Sequence, residues 1–63
     1  MNKATVSNKI KKAQKKSDTV TLTYMDGQDK KSGTYVTWNG PLVVVEVGEE
    51  LKEIAVTHIT AVA

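Results

Sequence analysis

The stretch 34–47, TYVTWNGPLVVVEV, restricts the possible folds of this chain more than any other. Two runs rich in β-branched and aromatic residues flank Asn39-Gly40. That dipeptide suits a type I′ turn, because both central residues of such a turn need positive φ. The pattern predicts a β-hairpin with Trp38 opposite Pro41, Thr37 opposite Leu42, Val36 opposite Val43, Tyr35 opposite Val44 and Thr34 opposite Val45. Side chains alternate between the faces of a strand. One face then carries Trp38, Val36, Pro41, Val43, Val45 and Val47 and is almost wholly apolar. The other carries Thr37, Tyr35, Leu42, Val44 and Glu46 and is half apolar. Such a hairpin needs cover on the first face and partial cover on the second.

The remaining residues supply that cover. Residues 4–16 predict a helix: Val6, Ile10 and Ala13 recur at helical spacing, and Thr5 or Ser7 is placed to cap its start. Residues 1–3 are expected to fray. Lys9, Lys11, Lys12, Lys15 and Lys16 occupy the rest of the helix surface. A helix this short is marginal alone and must dock through Val6 and Ile10. From Thr19 to Met25 the chain alternates strictly, with Val20, Leu22 and Tyr24 on one face and threonines on the other. Asp26-Gly27 then turns the chain, and Gly33 marks a bend, a bulge or a close packing point in the next strand. After a turn at Gly48-Glu49-Glu50, residues 51–56 predict a fourth strand with a bulge. Thr57-His58 predicts a short turn, and residues 59–62 a fifth strand. The predicted interior joins Val36, Trp38, Val43 and Val45 to Val20, Leu22, Ile54, Val56 and Ile59.

One helix over residues 4–16 and five short strands over residues 19–62 make a single domain, 1–63. Five short strands with tight turns are most economically arranged as a mainly β small barrel, which removes the edges of a flat sheet. A leading helix followed by residues 20–27 (VTLTYMDG), 32–38 (SGTYVTW), 41–47 (PLVVVEV), a glutamate-rich turn and residues 53–62 (EIAVTHITAV) resembles the small SH3-like barrels, and among them the Sm-like group. Asp26-Gly27 before a glycine-led second strand at Gly33, and the closure Val56, Ile59, Val62, carry the likeness. The YolD-like proteins of Gram-positive bacteria and their phages look similar in the same places. The resemblance implies a five-stranded SH3-like or Sm-like barrel with an N-terminal helix. It does not extend to that group's RNA pore: Gly48-Glu49-Glu50 is acidic where a basic motif would stand, so no uridine-pocket residue carries over.

Charge and composition then narrow the chemistry. The first 31 residues hold eight lysines and three aspartates, the remainder one lysine and four glutamates. There is no arginine, the residue best built for bidentate recognition of phosphate or guanine. Lysines acting as point charges still suit a binder that follows a phosphate backbone. With no cysteine and one histidine, His58, nothing forms a nucleophile–base pair or a metal cluster, so neither catalysis nor a metal or cofactor is expected. No apolar run nears the roughly 20 residues of a membrane span, and no apolar leader opens the chain. A soluble, cytoplasmic setting is expected.

Two binding readings follow. The first is nucleic acid held through Lys9, Lys12, Lys16, Lys30 and Lys31, with Tyr35 as a surface ring. The second is a protein partner, either a second copy in a homo-oligomer or a foreign protein bound by a phage-type adaptor or inhibitor. It would use a patch made of Tyr35, Leu42 and Val44.

Overall fold

A computed structural model describes residues 1–63. Helix α1 spans Lys3–Gln14, followed by strands β1 (Thr21–Asp26), β2 (Asp29–Asn39), β3 (Leu42–Val47), β4 (Glu50–Ala55) and β5 (Ile59–Val62). A single 3₁₀ turn, Val56–His58, joins β4 to β5. All strands are antiparallel in one sheet of order β4-β3-β2-β1-β5. The chain is therefore mainly β with one N-terminal helix, as its pattern predicts. The expected barrel closure is not made. β4 pairs only with β3 and β5 only with β1, so both remain edges. The 3₁₀ turn carries the chain from one edge to the other, and α1 packs beside β5.

The helix begins earlier than expected. Asn2, not Thr5 or Ser7, is its N-cap: its side-chain oxygen accepts a hydrogen bond of 2.8 Å from the Thr5 N–H. An Asn in extended conformation satisfies one of the four N–H groups that a helix start leaves unpaired. Met1 packs against the core, so the first residues are anchored rather than frayed. Val6 and Ile10 are buried as the helical spacing requires. Lys3 ties the start of α1 to the central hairpin. Its Nζ donates to the Gly40 carbonyl at 3.1 Å and lies 5.2 Å from the centroid of the Trp38 ring.

The central hairpin forms, but through Gly40-Pro41 rather than Asn39-Gly40. Asn39 pairs with Leu42, and of the residues in this turn only Gly40 has positive φ, at 59°. Proline cannot reach positive φ, which rules out type I′. A positive-φ glycine followed by proline instead matches the order of a type II′ turn. The pairs are Trp38–Val43 and Thr37–Val44, then Tyr35–Val45 and Thr34–Glu46. Val36 is an extra residue between them, a β-bulge. Its effect is to exchange two expected positions. Tyr35 is half-buried against the core, while Val36, expected inside, is 46% exposed.

The core consists of Val6, Ile10, Val20, Leu22, Tyr24, Val43, Val45 and Ile59. Trp38, Ile54 and Val56 pack against it half-buried. Gly33 is a close packing point. A Cβ there would stand 2.9 Å from Val47 Cγ2 and 3.1 Å from both the Glu46 carbonyl oxygen and Val45 Cβ. The bulge expected in the fourth strand is absent, since β4 pairs continuously with β3. A second irregularity falls instead between β1 and β5. There Thr60 is unpaired, and its hydroxyl donates to the Thr23 carbonyl at 3.3 Å.

Candidate anion-binding cleft

Lys9, Lys12 and Lys16 lie at i, i+3 and i+7, a spacing that keeps them on one side of a helix. Val6 and Ile10 set which side. Once these two are buried, the lysine side flanks β5. The three lysines line a cleft of about 450 Å³ together with Ser17, Thr19 and Val62. α1 contains no acidic residue, and no side-chain carboxylate lines the cleft. None of the three ammonium groups has a carboxylate within 4 Å; the sole ion pair of the molecule is Lys31–Asp26. Lys12 also sits in the last turn of α1, where the peptide dipoles leave partial negative charge that favours a cation. Three unpaired cations, two hydroxyls and the apolar side chains of Ala13, Val62 and Ala63 make a surface for an extended anion; the one carboxylate among the lining residues is the chain end at Ala63, where the backbone oxygen accepts from the Thr21 N–H at 2.9 Å.

The other predicted binding residues are placed elsewhere. Lys30 and Lys31 belong to the β1–β2 hairpin, at the opposite end of β2 from Asn39. Lys31 donates to Asp26 Oδ2 at 2.7 Å. That hydrogen bond, with the attraction between the charges, holds the Asp26 carboxyl below its ordinary range and the Lys31 ammonium above its own. Tyr35 lies on the core side of the sheet, so it is no surface ring beside the lysines. Of the six residues predicted to touch nucleic acid, the structure brings Lys9, Lys12 and Lys16 together and leaves Lys30, Lys31 and Tyr35 apart.

The predicted patch of Tyr35, Leu42 and Val44 is not assembled either. Leu42 and Val44 share the outer face of β3, but the bulge turns Tyr35 to the other side. On that outer face, Asn39 Nδ2 donates to Glu53 Oε1 at 3.0 Å. Asn39 is on β2 and Glu53 on β4, so the bond reaches across β3, where Val44 is only 9% exposed. The large apolar residues left exposed are Val36 and Leu51.

Ser17 and Thr19 were not foreseen as cleft residues, although their position just after the lysine helix is a local signal. Val62 had no local signal, because a distant strand brings it to the helix. Compared with protein-family models, with curated proteins and with solved structures, the chain matches none. Its function has to be argued from its own geometry.

Proposed function

We propose that this protein is a non-enzymatic binding module that holds nucleic acid by its phosphate backbone, with little sequence preference, in the cleft between α1 and β5. The convergence of Lys9, Lys12 and Lys16 on one surface free of side-chain carboxylates supports this reading. Lysine offers a compact, rotatable charge rather than a planar fork, so it senses phosphate and not base edges.

Fluorescence anisotropy with mixed-sequence single-stranded oligonucleotides tests the proposal. Three neutralised phosphates predict a slope of log K against log salt near −2. Replacing Lys9, Lys12 and Lys16 together by Glu should abolish binding, while replacing Lys30 and Lys31 by Glu should leave most of it. Binding that ignores salt, or that is lost equally in both variants, would refute the assignment.

A further inference from the structure

The cleft accounts for one flank of α1 only. At 3.6 residues per turn, Lys9, Lys12 and Lys16 lie along the flank next to β5, while Lys11 and Lys15 form a second row roughly 110° further round the helix. All five are exposed. Neither Lys11 nor Lys15 lines the cleft or has a carboxylate within 4 Å. Asn8, short and exposed, stands between the two rows. The first acidic residue of the chain is Asp18, beyond the helix. Lys11–Lys15 and Lys12–Lys16 are like charges at i, i+4, a spacing at which they repel and destabilise a helix. Two repelling rows with no acidic partner in the molecule complement a polyanion that reaches both flanks of the helix at once.

A single strand lying in the cleft does not reach both. It leaves Lys11 and Lys15 on the far side of α1, and it finds no ring on which to stack its bases. Tyr24 is 2% exposed, and Tyr35 lies on the core side of the sheet. Trp38 packs half-buried against the core, with the Lys3 ammonium 5.2 Å from its ring centroid. No aromatic residue lines the cleft. Duplex DNA meets both conditions. Its major groove is about 12 Å wide with a phosphate backbone along each rim, and a helix with its side chains is about 10–12 Å across. The minor groove, about 6 Å wide, does not admit one. The bases of a duplex are already stacked on one another, so no protein ring is needed.

We infer that the nucleic acid is double-stranded DNA, with α1 seated in its major groove. Lys9, Lys12 and Lys16 hold one backbone beside β5, and Lys11 and Lys15 hold the other. This rests on the proposed binding of nucleic acid and adds the form of the partner and two contact residues. Asn8 alone stands between the rows to face base edges, in keeping with little sequence preference.

Fluorescence anisotropy of the whole chain with a mixed-sequence DNA duplex, an RNA duplex and a DNA single strand, all of one length, tests this. Five neutralised phosphates on duplex DNA predict a slope of log K against log salt of about −4.5, against about −2 for three on the single strand. Replacing Lys11 and Lys15 together by Gln should bring the duplex slope to about −2.7 and leave the single-strand slope at about −2. Unchanged single-strand binding also shows that this variant is folded. The RNA duplex should bind at least about tenfold more weakly than the DNA duplex, because the deep, narrow major groove of A-form RNA shuts the helix out. A parent duplex slope of only about −2.7, or one unmoved by the double replacement, would overturn the inference and leave the proposed function standing. So would equal affinity for the two duplexes, or tighter binding of the single strand. No binding to any of the three would remove the proposed function and this inference with it.

Discussion

The two hairpins that share β2 keep their register in different ways. In the first, pairing runs without interruption from Asp26–Asp29 at the turn to Thr21–Thr34. In the second, pairing runs from Asn39–Leu42 to Thr37–Val44, skips Val36 and resumes at Tyr35–Val45. The turn of the second hairpin also sits one residue later than the Asn-Gly pattern predicts. That displacement changes each pairing by two positions, one full pleat, so Trp38 and Val43 stay inside and Val44 stays outside. The bulge changes the register by one position, which exchanges faces for every residue beyond it. A misplaced turn was therefore harmless to the assignment of surfaces, and one unpaired valine was not.

The sharpest way to break this comparison is to truncate valines on either side of the bulge. Val45→Ala should cost about 2–3 kcal/mol, because it removes two buried methyl groups and leaves a cavity. Val36→Ala should cost under about 0.5 kcal/mol. Urea denaturation measures both, and equal losses would mean that Val36 is inside after all.

Gly33 tests where the first hairpin meets β3. Gly33→Ala should destabilise by about 1–3 kcal/mol, since the added methyl meets backbone and branched side chains that cannot swing aside. A neutral or stabilising result in the same denaturation series would show that β2 and β3 are further apart than described.

The turn itself comes next. Gly40→Ala places a Cβ at positive φ and should cost about 1–2 kcal/mol. Asn39→Ala loses only an exposed hydrogen bond to Glu53 and should cost about 0.5–1 kcal/mol. A larger loss at Asn39 than at Gly40 would restore the type I′ turn.

The smallest effect concerns the ion pair at the end of the first hairpin. Asp26 is held below its ordinary value of 3.8, so its contribution is present above that pH and is lost as pH falls through the lower folded value. Lys31 is held above its ordinary value of 10.5, so its contribution is present below that pH and is lost as pH rises through the higher folded value. The pair is solvent-exposed and screened, so its contribution is small. The Tm difference between the parent and Lys31→Met should be slight at neutral pH and vanish in both strong acid and strong base. A difference that grows toward acid would exclude Asp26 as the partner.

Alternation and turn residues were enough to place five strands, one helix and most of the core, because both depend on near neighbours in the chain. Val6 and Ile10, Val20, Leu22 and Tyr24, and Val43 and Val45 all announced themselves by period alone. The lysine set on α1 was legible for the same reason: three residues on one helix share a side wherever the helix docks. Lys30, Lys31 and Tyr35 were grouped with it by charge and ring type, which say nothing about distance through space.

Three matters were decided only by the tertiary structure. The bulge at Val36 depends on how β3 lies against β2, and no residue type encodes it locally. The open seam depends on the path from β4 to β5 through Val56–His58, which brings Tyr24 and Lys52 to one cleft from strands far apart in the chain. The cover over Val44 depends on Asn39 and Glu53 meeting across an intervening strand. Local sequence determines which way a side chain points relative to its neighbours, because the backbone repeats every two residues or every 3.6. What it meets there depends on pairings between distant segments, which the whole sheet selects together.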